Sequence, residues 1–106
     1  MDFLFIETTA FSRARHGLMQ DDELQAFQAW LLENYGQGKT MSGTGGCKKV
    51  RWQRPGSGKS GGVRVIYFAR TQQGRIYLLI IYPKSWLDNL SARQKAQLKA
   101  AVDLLT

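Results

Sequence analysis

The chain has 106 residues, a net charge of +7 and 43% hydrophobic residues, which makes it too apolar for disorder and long enough to form one domain spanning residues 1–106. Its single cysteine, Cys47, cannot form an internal disulfide. The first residues lack the basic start and long apolar core of a secretory signal, and no run approaches the ~20 apolar residues of a membrane span, so a cytoplasmic location is expected.

In chain order, Phe3-Leu4-Phe5-Ile6 is short and apolar and predicts a buried first strand. Residues 8–17 are ambiguous, with room for a short helical turn ending near Gly17. Leu24, Phe27, Leu31 and Tyr35 recur at helical steps and predict a helix over 22–35. Asp22 and Gln25 are suited to cap its start, and Gly36 to supply a left-handed stop. A Gly-, Ser- and Thr-rich loop follows to Gly46.

Lys48 to Trp52 alternates, so a strand there puts Val50 and Trp52 on one face and Lys49 and Arg51 on the other. Residues 54–62 hold Pro55 and several Gly and predict an irregular connection. Val63–Arg70 and Arg75–Tyr82 are rich in β-formers, joined as a hairpin by Thr71–Gly74. Ile76–Ile81 is apolar on both faces and predicts a central strand. Pro83 ends it. Ser91 and Gln94 then form a capping box for a last helix, with Leu98, Val102 and Leu105 inward and Arg93, Lys95 and Lys99 outward. The expected fold is α+β: a mainly antiparallel sheet of about four strands, helices packed on one face, a C-terminal helix, and basic residues on the remaining face.

Charge is divided unevenly along this order. Residues 1–35 carry six carboxylates and two Arg, whereas Gln37 to Leu87 contains no acid and ten Lys and Arg. Charges of one sign crowded on a compact surface repel each other, so such a block points to a polyanionic partner, with RNA or DNA phosphate leading.

Several motifs have plainer readings. Gly58-Lys59-Ser60 suggests a nucleotide-binding loop, but that pattern needs a glycine where Gln53 stands and a helix where Val63–Tyr67 predicts a strand. A basic connection placing Lys59 beside an RNA groove is the better functional reading, and a solubilising loop the plain one. Cys47 lacks a paired base or metal-ligand spacing and reads as an incidental small residue. His16, the only histidine, lies outside the basic block and reads as a surface residue.

RNA cleavage conventionally uses Glu or His for proton transfer, and the basic block offers neither. Proton transfer would fall to Lys, Tyr or groups outside the chain, while the forked donors of Arg suit a phosphate gaining charge. Arg64 shares a strand face with Ile66, Phe68 and Arg70. If that strand pairs with Arg64 beside Lys49 and Arg51, three cations converge, and Lys84 is placed to join them. Tyr82 and Trp86 are available for base stacking. An isolated surface lysine is ordinarily only a solvated charge; convergence is what would make these a site.

The run Gly45-Gly46-Cys47-Lys48-Lys49-Val50-Arg51-Trp52, the segment Gly58 to Phe68, and Ile76 to Lys84 together resemble the RelE superfamily of toxins, most closely its HigB-like branch. Leu90-Ser91-Ala92-Arg93-Gln94-Lys95 also fits that branch, and the likeness covers nearly the whole chain. The resemblance implies a RelE-like fold and the toxin of a type II toxin–antitoxin pair: an endoribonuclease that cleaves mRNA in the ribosomal A site by 2′-hydroxyl attack, without metal or cofactor, and halts translation. It implies catalytic roles for Lys49, Arg51, Arg64 and Lys84; from the residues themselves, Lys48, Lys59, Tyr82 and Trp86 are expected to contact RNA. It also implies an antitoxin, usually with a helix-turn-helix DNA-binding domain. The chain departs from the family pattern at Ser85, where an Arg is usual, and in having no Tyr after Tyr82. The competing readings are a non-catalytic basic module that binds RNA or the ribosome, and a regulatory subunit whose basic face docks an acidic protein.

Overall fold

Strand β1 (Leu4–Glu7) is followed by helices α1 (Thr9–Ala14) and α2 (Asp21–Asn34), strands β2 (Lys39–Thr40), β3 (Lys48–Gln53), β4 (Gly62–Arg70) and β5 (Arg75–Pro83), and helix α3 (Ala92–Leu105). The structure, a computed structural model, describes residues 3–53, 62–86 and 90–105. The five strands form a single sheet in the order β1-β5-β4-β3-β2, antiparallel except where β1 lies parallel to β5. One strand more than expected is present because β2 has only two residues, too few for any periodicity to reveal. Strand β5 is interior, between β1 and β4, as its two apolar faces require. Strand β1 is an edge rather than a buried strand: Leu4 is 59% exposed.

Side-chain alternation divides the core in two. Val63, Val65, Tyr67, Ile76 and Leu78 face Phe11, Leu24, Phe27 and Leu31 of α1 and α2. Ile66, Tyr77, Leu79 and Tyr82 face Leu98 and Val102 of α3. Helix α3 therefore covers the side of the sheet opposite α1 and α2, and that side is shared between a helix and the basic residues. The apolar run of β5 makes this arrangement necessary, because its second face also has to leave water.

Local signals held unevenly. The capping box forms: Ser91 Oγ accepts from Gln94 N at 3.1 Å, and Ser91 N donates to Gln94 Oε1 at 2.9 Å. Helix α1 is capped by Thr8, whose hydroxyl accepts from Phe11 N at 3.0 Å. Helix α2 begins after Gln20, with no side-chain cap; its first turn instead holds Asp21, Asp22 and Glu23, which complement the positive end of the helix dipole. Asp22 lies inside the helix, so it cannot cap it. Gly36 is not left-handed, and Tyr35 ends α2 in the right-handed region. In the β4–β5 hairpin, Thr71–Gln73 forms a 3-10 turn closed by Gly74 at φ 64°, a conformation that favours glycine. Among the described residues, no helix is long and apolar enough to cross a membrane.

Candidate nucleic-acid interface

Pairing of β3 with β4 puts Arg51 opposite Arg64 and Lys49 opposite Ile66. Directly opposed residues in an antiparallel pair share a face. Lys49, Arg51 and Arg64 therefore lie on the face that α3 partly covers. The partition follows from the apolar residues between them. Val50 and Trp52 point the other way, and the Trp52 ring meets Phe27 edge-on at 5.4 Å and Trp30 at 6.0 Å. Anchoring Trp52 against α2 leaves Arg51 exposed on the opposite face.

Lys84 joins the group through backbone and side chain alike. Arg64 Nη1 donates to the Lys84 carbonyl at 2.6 Å, and Lys84 N donates to the Gly62 carbonyl at 3.0 Å. Gly62 lies two residues before Arg64, so a side chain there would share its face. A Cβ at Gly62 would sit 3.4 Å from Lys84 Cδ. The Lys84 stem thus runs over Gly62 on the same face as Arg64, in space that the glycine leaves open. The four cations Lys49, Arg51, Arg64 and Lys84 gather at one region of the sheet. Lys49, Arg64 and Lys84 are half-buried, and cations partly screened from water hold a stronger local field than fully solvated ones.

The other expected contacts fare differently. Lys48 is on the opposite face, with its Nζ donating to Thr40 Oγ1 at 2.9 Å. Tyr82, opposite Arg64, is only 6% exposed and packs into the core beneath α3, so its ring offers no open face for a base. Trp86 is 65% exposed, which suits stacking. Lys59 and the connection 54–61 lie outside the described residues. Gln53 was missed: it continues the Lys49–Arg51 alternation, is exposed, and stands opposite Gly62 at the rim of the cluster. The same period of two that singled out the cations would have found it.

Strands β3, β4 and β5 carry no carboxylate and no imidazole. Cys47 is fully buried, and burial pushes its thiol up from the usual range, so it is unsuited to nucleophilic work. The Tyr67 hydroxyl is likewise pushed up by burial; it donates to the Tyr35 carbonyl at 2.7 Å on the opposite face. Among the described residues, no group of three His, Cys, Asp or Glu is placed to hold a metal ion. The arrangement sets two arginines directly opposite each other across the strands with two lysines on the same face, donors of the kind that suit a phosphate. A cavity of about 880 Å³ borders this region, with Tyr82 and Trp86 in its wall. It opens between α1 and α3 beside Leu79–Tyr82, is mainly apolar, and has no charged residue in its wall among the described residues.

In architecture the chain is similar to the E. coli toxin RelE, solved in the free state as an arginine-to-alanine double mutant. The TM-score is 0.54 at 12% sequence identity, covering 96% of this chain and 98% of that one. At that identity the likeness speaks to fold. The family model described as the RelE toxin of the RelE/RelB toxin–antitoxin system matches residues 5–106. The chain therefore belongs to the RelE family of toxins.

Proposed function

We propose that this toxin is a HigB-like, ribosome-dependent endoribonuclease that cleaves mRNA in the ribosomal A site and so stops translation. The observation that carries the reading is the opposition of Arg51 and Arg64 across β3 and β4, with Lys49 and Lys84 on the same face. In the reaction, the 2′-oxygen of one nucleotide attacks the adjacent phosphorus. The bond to the 5′-oxygen of the next nucleotide breaks, leaving a 2′,3′-cyclic phosphate and a 5′-hydroxyl. Arg64, oriented by the Lys84 carbonyl, holds the non-bridging oxygens as their charge grows. Arg51 grips the same phosphate from the neighbouring strand. Lys49 or Lys84, acting as the neutral amine, accepts the 2′ proton, and the departing oxygen takes a proton from the ammonium so formed or from water. The chain's own residues supply every charged group in this scheme, with no metal or cofactor. Trp86 stacks a neighbouring base, in a role the family pattern gives to a later Tyr.

A toxin needs a restraint, and the family implies an antitoxin. The +7 charge suits rapid capture by an acidic partner. We propose a helix-turn-helix protein that need only keep the toxin off the ribosome. The site of action is the cytoplasm, where ribosomes and mRNA meet.

The test adds purified protein to programmed ribosomes and maps cuts by primer extension. Cleavage at an A-site codon supports the reading; intact mRNA, in an assay where another ribosome-dependent toxin cuts, overturns it. The absence of Glu and His from the three central strands favours the second reading, a non-catalytic binder. Induction of a binder would leave cells dividing, whereas the proposed nuclease arrests growth.

A further inference from the structure

The cationic face does not end at Lys49. On its far side β2 pairs with β3 so that Lys39 stands directly opposite Lys49. Like charges opposed across strands destabilise a sheet. A third lysine approaches from α3. Lys95, expected to face outward, lies one turn before Leu98 on the helix's inward stripe and is half-buried. Its stem passes 3.9 Å from the Cβ position of Gly43 in the β2–β3 loop. That loop is held in shape by buried Thr44, whose hydroxyl donates to the Met41 carbonyl at 2.6 Å and accepts from Cys47 N at 3.1 Å. Lys39, Lys49 and Lys95 together line a pocket of about 220 Å³, with Ser42 and Leu90 also in its wall. The first turn of α3 contains no acidic residue, in contrast with the three in α2, so no charge in that turn opposes the positive end of its dipole.

We infer that this pocket is a second phosphate subsite, which takes the phosphodiester neighbouring the scissile one on the same RNA strand. The inference rests on the proposed nuclease reading and adds Lys39 and Lys95 as RNA-binding residues. Lys49 and Arg51 are two residues apart on one face of β3, a step of ~7 Å. A strand of RNA lying along β3 can therefore set one phosphate among Arg51, Arg64 and Lys84 and the next among the three lysines. Three lysines in the wall of one pocket give it a positive potential that favours an anion over a neutral ligand.

The test uses the full chain and a short fluorescein-labelled single-stranded RNA, with affinity measured by anisotropy across a salt series. Lys95→Ala and Lys39→Ala are compared with Lys99→Ala, which removes the same charge one turn further along α3, where Lys99 pairs with Asp103 at 3.5 Å. Loss of one phosphate contact lowers the slope of log affinity against log salt by ~0.7 for a single strand. The expected result is that drop for Lys95→Ala and Lys39→Ala, restoration by Lys95→Arg, and little change for Lys99→Ala. Salt-dependent binding of wild type with no change in the Lys39 and Lys95 variants overturns the subsite while leaving the nuclease reading intact. An equal drop in all three variants shows only a net-charge effect and also overturns it. Failure of wild type to bind RNA, together with failure to cut on ribosomes, overturns the nuclease reading and the subsite together.

Discussion

The two faces of the sheet are built from alternate residues of the same strands, yet they serve opposite ends. Under α1 and α2, Val63, Val65, Tyr67, Ile76 and Leu78 meet Phe27 and Leu31, and the face is closed by apolar and aromatic side chains. Under α3 the closure is partial: Ile66, Tyr77, Leu79 and Tyr82 are covered by Leu98 and Val102, while Lys49, Arg51, Arg64 and Lys84 remain where a ligand can reach them. Strand β3 shows the division most sharply. Trp52 fastens it to one side, and Arg51 presents charge on the other. A cationic cluster cannot hold itself together, so the closed face supplies the rigidity that the open face needs.

That contrast can be broken from either side. Phe27→Ala empties the closed face beneath Trp52 and should cost about 3–5 kcal/mol of stability, read from chemical denaturation; a loss below ~1 kcal/mol would mean that the helix is not an anchor. Arg64→Ala should do the reverse: the melting transition stays near wild type, and single-turnover cleavage on ribosomes falls by ~10²–10³. Trp86→Ala should weaken RNA binding by about 1–3 kcal/mol if its exposed ring stacks a base, with no loss of stability. The smallest effect concerns Cys47. Burial raises its thiol pKa in the folded state, so its contribution to stability is present below the ordinary thiol range and is lost as pH rises through and above it. Alkaline pH should destabilise wild type more than Cys47→Ala, and a thiol reagent should react with Cys47 only when the chain unfolds.

Much of the open face was legible because a strand's period of two is rigid. Lys49, Arg51 and Arg64 could be put on common faces from the letters alone, and the register then joined them. The Ser91–Gln94 capping box was equally legible, since it depends only on neighbours in the chain. What failed depended on the third dimension. Tyr82 had the chemistry to stack a base, but α3 buries it. Gly36 had the freedom to stop a helix left-handed, but α2 ends without using it. Lys95 read as a solvent residue because lysines usually are, whereas its helical position points it back at the sheet. The two residues of β2 were too few to show any pattern, and with them the opposition of Lys39 and Lys49 went unseen.

The convergence of Arg51 and Arg64 is tested most directly by a double-mutant cycle on single-turnover cleavage with programmed ribosomes. If both guanidinium groups hold one phosphate, the rate losses of Arg51→Ala and Arg64→Ala will not add, and the double variant will be faster than their product predicts. Strictly additive losses, or no loss from either substitution, would contradict a shared site.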